Sequence, residues 1–297
     1  MVDVTSVQPV QEFDPEWLDR MQPAELFSLR DRVAVVTGAA GGVGRWLCAA
    51  FGAAGARILA TDLALEPTQR MCDALAKRGI ETHAFAVDLA DEDAAQRIVK
   101  AAVDRFGRLD ILVNNAGVNR RLPILEATPE LLDHIWTVDY IRCYQLSQQA
   151  AGVMIGQGGG VILHIGSLNN LIGLEDVSLI GPTKAALSQL AKVQAIEWSH
   201  LGIRTNVLAP GFMATPINAT HWTHPTRAPW IMDRTPMCRP GHPAELVGAA
   251  LLLVSDAGSF MTGQTVYVDG GFSAGSRWNV PPGTGLATYR ERHAPDG

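Results

Sequence analysis

The chain has 297 residues, 47% of them hydrophobic and 18% charged, with a formal net charge of -6. That composition supports a sizeable soluble core, and the absence of any Lys/Arg block argues against a nucleic-acid partner, whose phosphates need cationic neutralisation. No apolar run approaches the roughly 20 residues that span a bilayer, so no membrane partner is expected.

In chain order, residues 1–28 read as an N-terminal arm, with Pro9, Pro15 and Pro23 and a short helix around Glu16–Met21. Its polar, acidic start (Asp3, Glu12, Asp14, Glu16) does not read as a signal peptide. From Arg32 onward, short β-branched runs alternate with longer amphipathic stretches. Val33–Val36 precedes Gly44–Ala53, Arg57–Thr61 precedes Pro67–Arg78, and His83–Val87 precedes Asp91–Phe106. Ile111–Val113 precedes Pro129–Gly152, Val161–Ile165 precedes Pro182–His200, and Arg204–Leu208 precedes Pro243–Ser255, with Thr265–Val268 closing the series. Strands alternating with helices imply parallel strands joined by crossovers, and continuous apolar strands imply a sheet covered on both faces. Residues 29–273 are therefore expected to form one α/β domain, a doubly wound seven-stranded parallel sheet. Segment 212–242 breaks the rhythm with Trp222, Trp230, His221 and His224 and is expected to form a lid over the ligand crevice. Residues 274–297, rich in Gly and Pro, read as a C-terminal tail. The four cysteines, Cys48, Cys72, Cys143 and Cys238, contain no CxxC pair and read as reduced thiols in a cytoplasmic protein, with no metal site.

The run Thr37-Gly38-Ala39-Ala40-Gly41-Gly42-Val43-Gly44 lies between a predicted strand and a predicted helix. Gly38, Gly42 and Gly44, with Val43, suit a tight turn whose backbone approaches a pyrophosphate at a helix N-terminus. The fold expected is thus Rossmann-type, and the ligand a dinucleotide. Asp62 ends the second strand, where a carboxylate accepts hydrogen bonds from a ribose 2′-OH and repels a 2′-phosphate. Leu63 follows where an arginine for that phosphate would stand. The coenzyme expected is NAD.

These motifs, with others in order behind them, resemble the short-chain dehydrogenase/reductase family over roughly residues 29–273. The others are Asp88 after the third strand, Asn114-Asn115-Ala116-Gly117 after the fourth, and Ser167 after the fifth. Lys184, then Pro210-Gly211 with Thr215, then Val268-Asp269-Gly270-Gly271 complete the set. The resemblance implies that Asp88 and Leu89 contact adenine and that Asn115, Ala116 and Gly117 line the adenosine ribose side. It implies that Lys184 holds the nicotinamide ribose, and that Pro210, Gly211, Met213 and Thr215 hold the nicotinamide end. Asn114 and Asn115 also read as ties between strands.

In the family a tyrosine stands four residues before the lysine and thirteen after the serine, and its phenol exchanges the substrate proton. Both counts, from Lys184 and from Ser167, end on Ile180. The family's catalytic asparagine corresponds to Asp139, which keeps the backbone geometry for a relay water. With Ser167 and Lys184 these are the candidate catalytic positions. An apolar Ile180 would also dry the surroundings of Lys184, and desolvation lowers a lysine's pKa, which makes Lys184 itself a candidate acid or base. His164 reads as a satisfied core histidine, and Glu175 and Asp176 as a solvated loop pair. Four accounts of Ile180 stand: an engineered variant of an active dehydrogenase, a natural oxidoreductase with another proton route, a non-redox enzyme, or a silent NAD-binding scaffold. Retention of Ser167, Lys184 and 210–215 puts redox chemistry ahead.

The segment Asn115-Ala116-Gly117-Val118-Asn119-Arg120-Arg121 and the lead-in Leu26-Phe27-Ser28-Leu29 are similar to members acting on sugar acids and polyols, such as gluconate 5-dehydrogenases. The expected partner is accordingly a small-molecule substrate, and Arg120 or Arg121 suits a carboxylate on it. The helix Pro182–His200 is apolar on more than one face. In the family that helix packs on a partner subunit, which implies a homodimer or homotetramer.

Overall fold

A computed structural model describes residues 15–275; the first fourteen residues of the arm and the tail beyond Gly275 lie outside the described residues. The strands are β1 (Val33–Thr37), β2 (Arg57–Asp62), β3 (Thr82–Ala86), β4 (Ile111–Asn114), β5 (Gly160–Ile165), β6 (Ile203–Pro210) and β7 (Thr265–Val268). They form one sheet in the order β3-β2-β1-β4-β5-β6-β7, every pair parallel. The expected doubly wound α/β architecture is present.

The period-2 alternation of a strand divides the core in two. Ala34, Val36, Ile58 and Ala60 pack with Leu47, Phe51 and Leu253 of the helices Gly44–Ala53 and Val247–Val254. Val33, Val35 and Leu59 pack on the opposite face with Ile98, Val99, Leu146 and Met154 of the helices Ala94–Phe106 and Arg142–Gly156. Both faces are covered, which is why the strands read as unbroken apolar runs rather than as alternating ones.

From β1 the chain winds outward to β2 and β3, then returns to place β4 on the other side of β1. The divergence opens a crevice beyond the carboxyl ends of β1 and β4. One expected helix is broken. Pro129–Gly152 resolves into a helix Pro129–Trp136, a wide π-helical turn Thr137–Ile141 and a helix Arg142–Gly156. The wide turn carries Val138 and Asp139 with both side chains buried, next to the crevice. Such turns are uncommon and gather at functional sites. The arm's expected short helix is present as Pro15–Arg20.

Candidate active site

At the tip of β1 the hydroxyl of Thr37 accepts the N–H groups of Asn115 and Ala116, each at 3.0 Å. The Asn115 amide nitrogen donates to the carbonyls of Thr37 (2.8 Å) and Gly38 (3.0 Å). Asn115 thus ties the glycine loop to β4, the strand-tying role, and Asn114 ties β4 to Ser147 and His164. Gly38 has φ 62, and a β-carbon there would lie 2.8 Å from Ala116 Cα. One at Gly44 would lie 2.2 Å from the Gly38 carbonyl oxygen. The loop therefore closes only with glycine at both places. Among the described residues the backbone N–H groups of Gly42 and Val43 have no partner, at the N-terminus of the helix Gly44–Ala53. Two free amides and the positive end of a helix make an anion site.

Asp62 ends β2, with Oδ2 accepting the Ala40 N–H at 2.9 Å and Oδ1 the Leu63 N–H at 2.8 Å. Its carboxylate is held rigidly at the joint between strand and glycine loop, facing the cavity, while Leu63 is 67% exposed. The Asp88–Leu89 loop is clasped by the buried Arg142, whose guanidinium donates to the carbonyls of Leu89 (2.7 Å), Glu92 (3.1 Å) and Ala90 (3.3 Å). This clasp had no local signal, since its members lie about 50 residues apart in sequence.

Beyond β5, Ser167 caps a short turn: its hydroxyl donates to Asn169 Oδ1 (3.1 Å) and accepts the Asn169 N–H (3.2 Å). Asn170 accepts the Ser167 N–H and donates to the Lys184 carbonyl at 2.8 Å, fastening the end of β5 to the helix Ile180–Trp198. Ile180 opens that helix and faces the cavity one turn before Lys184. Lys184 Nζ lies 3.2 Å from Asp139 Oδ2, with side chains 8% and 0% exposed. The wide turn and this ion pair were missed from the sequence, because the partners are brought together only by packing. The expected drying around Lys184 is met by a carboxylate, so the ammonium sits in an ion pair rather than in a purely apolar environment.

His164 is fully buried between Asn114 (3.1 Å) and Gln194 (3.0 Å), the satisfied core histidine expected. Burial pushes its pKa down to about 4. The folded state resists protonation while the unfolded chain accepts a proton near pH 6.5, so this contribution to stability is complete above about pH 6.5 and is lost as pH falls toward 4. Thermal unfolding should show a falling midpoint from pH 7 to pH 4. A His164→Asn variant should show a shallower fall; an equal fall in both would contradict the assignment.

The candidate catalytic and coenzyme residues, Gly44 excepted, line one cavity of about 1090 Å³. Gly44 is buried beneath the Gly38 carbonyl, so its part is to seat the loop. Pro210, Gly211, Met213 and Thr215 form the wall after β6, and among the described residues the buried Thr215 hydroxyl has no hydrogen-bond partner. Segment 212–242 contributes His221, His224, Trp230 and Arg227 to the cavity wall, of which Arg227 was not anticipated. Of the two candidate arginines, Arg121 lines the cavity, donating to Asn218 Oδ1 at 3.2 Å, and Arg120 is exposed outside it. Burial, then the neighbouring Arg227, lowers the Arg121 pKa. Burial together with Arg121, Arg227 and His224 pushes His221 down to about 4. Asp176 approaches Arg227 at 3.9 Å rather than standing as one of a solvated pair. No tyrosine lines the cavity among the described residues. Nor do those residues hold a metal-binding cluster of His, Cys, Asp or Glu, or a helix long and apolar enough to cross a membrane.

Residues 38–273 match the family described as enoyl-(acyl carrier protein) reductase. The chain is 39% identical to L-xylulose reductase of Bos taurus, over 83% of this chain and 98% of that protein. It is 33% identical to gluconate 5-dehydrogenase of Gluconobacter oxydans, over 85% of this chain and 99% of that one. Among solved structures, gluconate 5-dehydrogenase from Burkholderia cenocepacia J2315 in complex with NADP and tartrate aligns with TM-score 0.82 at 31% identity. That alignment covers 85% of this chain and 99% of the other.

Proposed function

The chain belongs to the short-chain dehydrogenase/reductase family of oxidoreductases, and from that premise we propose that it is an NAD-dependent oxidoreductase acting on a small hydroxyl or carbonyl substrate of sugar-acid or polyol type. The observation that carries the coenzyme reading is the pairing of two unpartnered loop amides with the Asp62 carboxylate at the next strand tip. The amides suit a diphosphate. The carboxylate suits a free ribose 2′-OH, and it would meet a 2′-phosphate with like charge. The orphaned Thr215 hydroxyl suits the carboxamide end, and Lys184 the nicotinamide ribose. When bound, the coenzyme supplies the hydride acceptor or donor.

Asp62→Ala with Leu63→Arg should test the coenzyme assignment. The starting chain is expected to bind NADH tenfold or more tighter than NADPH, a difference of about 1.4 kcal/mol or more. The double variant should lose or reverse that preference. A preference unchanged by the double substitution would remove Asp62 as its source.

Arg121 and Arg227, converging with His221 and His224 on the side of the cavity under the lid, support a substrate carrying a carboxylate or many hydroxyls. Ile180, at the position of the family's phenol, is expected to lower turnover of ordinary alcohols without loss of fold or coenzyme binding. That same residue favours a second reading, a coenzyme-binding protein without turnover. Assays with NAD and a panel of sugar acids and polyols separate the two: coenzyme binding with no activity, before or after Ile180→Tyr, supports the second.

A further inference from the structure

Two residues depart from the family's catalytic pattern, and both adjoin one lysine. Ile180 lies one helical turn before Lys184, and Asp139 Oδ2 lies 3.2 Å from its ammonium. Asp139 Oδ1 accepts the Val118 N–H at 2.8 Å. Oδ2 makes no aligned hydrogen bond, so its contact with Lys184 is ionic and leaves it lone pairs. Both residues belong to the cavity wall, Lys184 with its side chain 8% exposed and Asp139 fully buried behind it. A β-carbon at position 117 would stand 2.9 Å from Asp139 Oδ2 and 3.4 Å from Lys184 Nζ, so the glycine lets the backbone pack directly on the pair.

The other titratable groups packed around the pair do not compete with it. Burial pushes the Cys143 thiol up to about 12 and His164 down to about 4, so both are neutral near pH 7. His134 and Glu175 line the cavity but are exposed, and Asp176 faces Arg227. The buried floor of the cavity therefore offers one carboxylate and one ammonium, already in contact.

Resting on the oxidoreductase reading above, we propose that Asp139 is the proton acceptor of this site, acting through Lys184 in place of a phenol. As the substrate's C–H bond breaks and its hydride passes to NAD, the hydroxyl O–H bond breaks and its proton moves to Lys184. Lys184, whose ammonium has no free lone pair, gives one of its own protons to Asp139 Oδ2 before it takes up the hydroxyl's. The alcohol becomes a carbonyl, NAD becomes NADH, and Lys184 ends with the charge it began with. Asp139 ends as a carboxylic acid and returns its proton by way of Lys184, the partly exposed member of the pair. Reduction runs the same steps backward.

Asparagine at 139 is the discriminating substitution: its carbonyl keeps the Val118 hydrogen bond, and it cannot take up a proton. The test compares the starting chain, Asp139→Asn, Ile180→Tyr and the double variant, with D-gluconate and xylitol as probes at saturating NAD. In the starting chain, Asp139→Asn should lower kcat by about 10²-fold or more and abolish the fall of kcat at low pH, while NADH fluorescence still reports coenzyme binding. In the Ile180→Tyr chain the same change should cost about tenfold or less, because the phenol supplies the route. Equal losses in both backgrounds, or a starting chain whose turnover and pH profile survive Asp139→Asn, overturn the proposal. Turnover appearing only with Ile180→Tyr overturns it and leaves the oxidoreductase reading standing. No turnover in either chain, with NADH bound, sinks that reading as well.

Discussion

Ile180→Tyr is expected to raise kcat for NAD-linked oxidation of a polyol or sugar acid, by between about tenfold and 10⁴-fold. The upper figure is what a well-placed general acid–base supplies, roughly 5.5 kcal/mol of barrier; the lower allows for a proton route already present through Lys184. Position 180 is half-buried on the first turn of the helix Ile180–Trp198, its side chain faces the cavity, and Lys184 follows at i+4 on the same helix face. The first-turn N–H groups of a helix need no intrahelical partner, so the exchange disturbs no backbone hydrogen bond. Steady-state rates with NAD and the sugar-acid and polyol panel measure the gain, and thermal unfolding checks that the fold is unchanged. A fall in turnover would mean that the chain's chemistry needs the isoleucine, and would turn the account toward a non-redox reaction.

Lys184→Met should have the largest combined effect. Asp139 would lose its cation while remaining fully buried, and an unpaired buried charge destabilises by about 3–5 kcal/mol. Turnover should fall by more than about 10³-fold, since the proposed acid–base and ribose-holding roles of Lys184 would be lost together. The two losses are separable. Adding Asp139→Asn removes the stranded charge and should restore most of the stability while turnover stays absent. Chemical denaturation of the two variants reads this directly. A Lys184→Met chain as stable as the starting one would show that the 3.2 Å contact holds little of the fold together.

What could be read along the chain is what local pattern controls. The strands of the sheet announce themselves because both faces are buried, so β1 and β4 are short apolar runs ended by Thr37 and Asn114. The glycine loop is legible because Gly38 and Gly44 stand where a β-carbon would strike Ala116 and the loop's own carbonyl. Asp62 is legible because a strand end fixes its place. The features not foreseen are those made by contact between distant segments. The wide turn at Thr137–Ile141 looks in sequence like ordinary amphipathic helix, and nothing near Asp139 says that Lys184 will lie against it. Asn170, which fastens Ser167 to the Lys184 turn, reads as one more polar loop residue until the fold brings the two together. Arg120 and Arg121 are chemically identical neighbours, and only the course of the loop sends the second into the cavity.

On the proposed reading the amides of Gly42 and Val43 receive a dinucleotide's diphosphate while Asp62 takes the adenosine ribose with its 2′-OH free. Isothermal calorimetry with NADH and with NADPH, on the unaltered chain, tests it most directly. Saturable one-to-one binding of NADH, tenfold or more tighter than that of NADPH, is expected. Heat from neither coenzyme in well-folded protein, or tighter binding of NADPH, would contradict it.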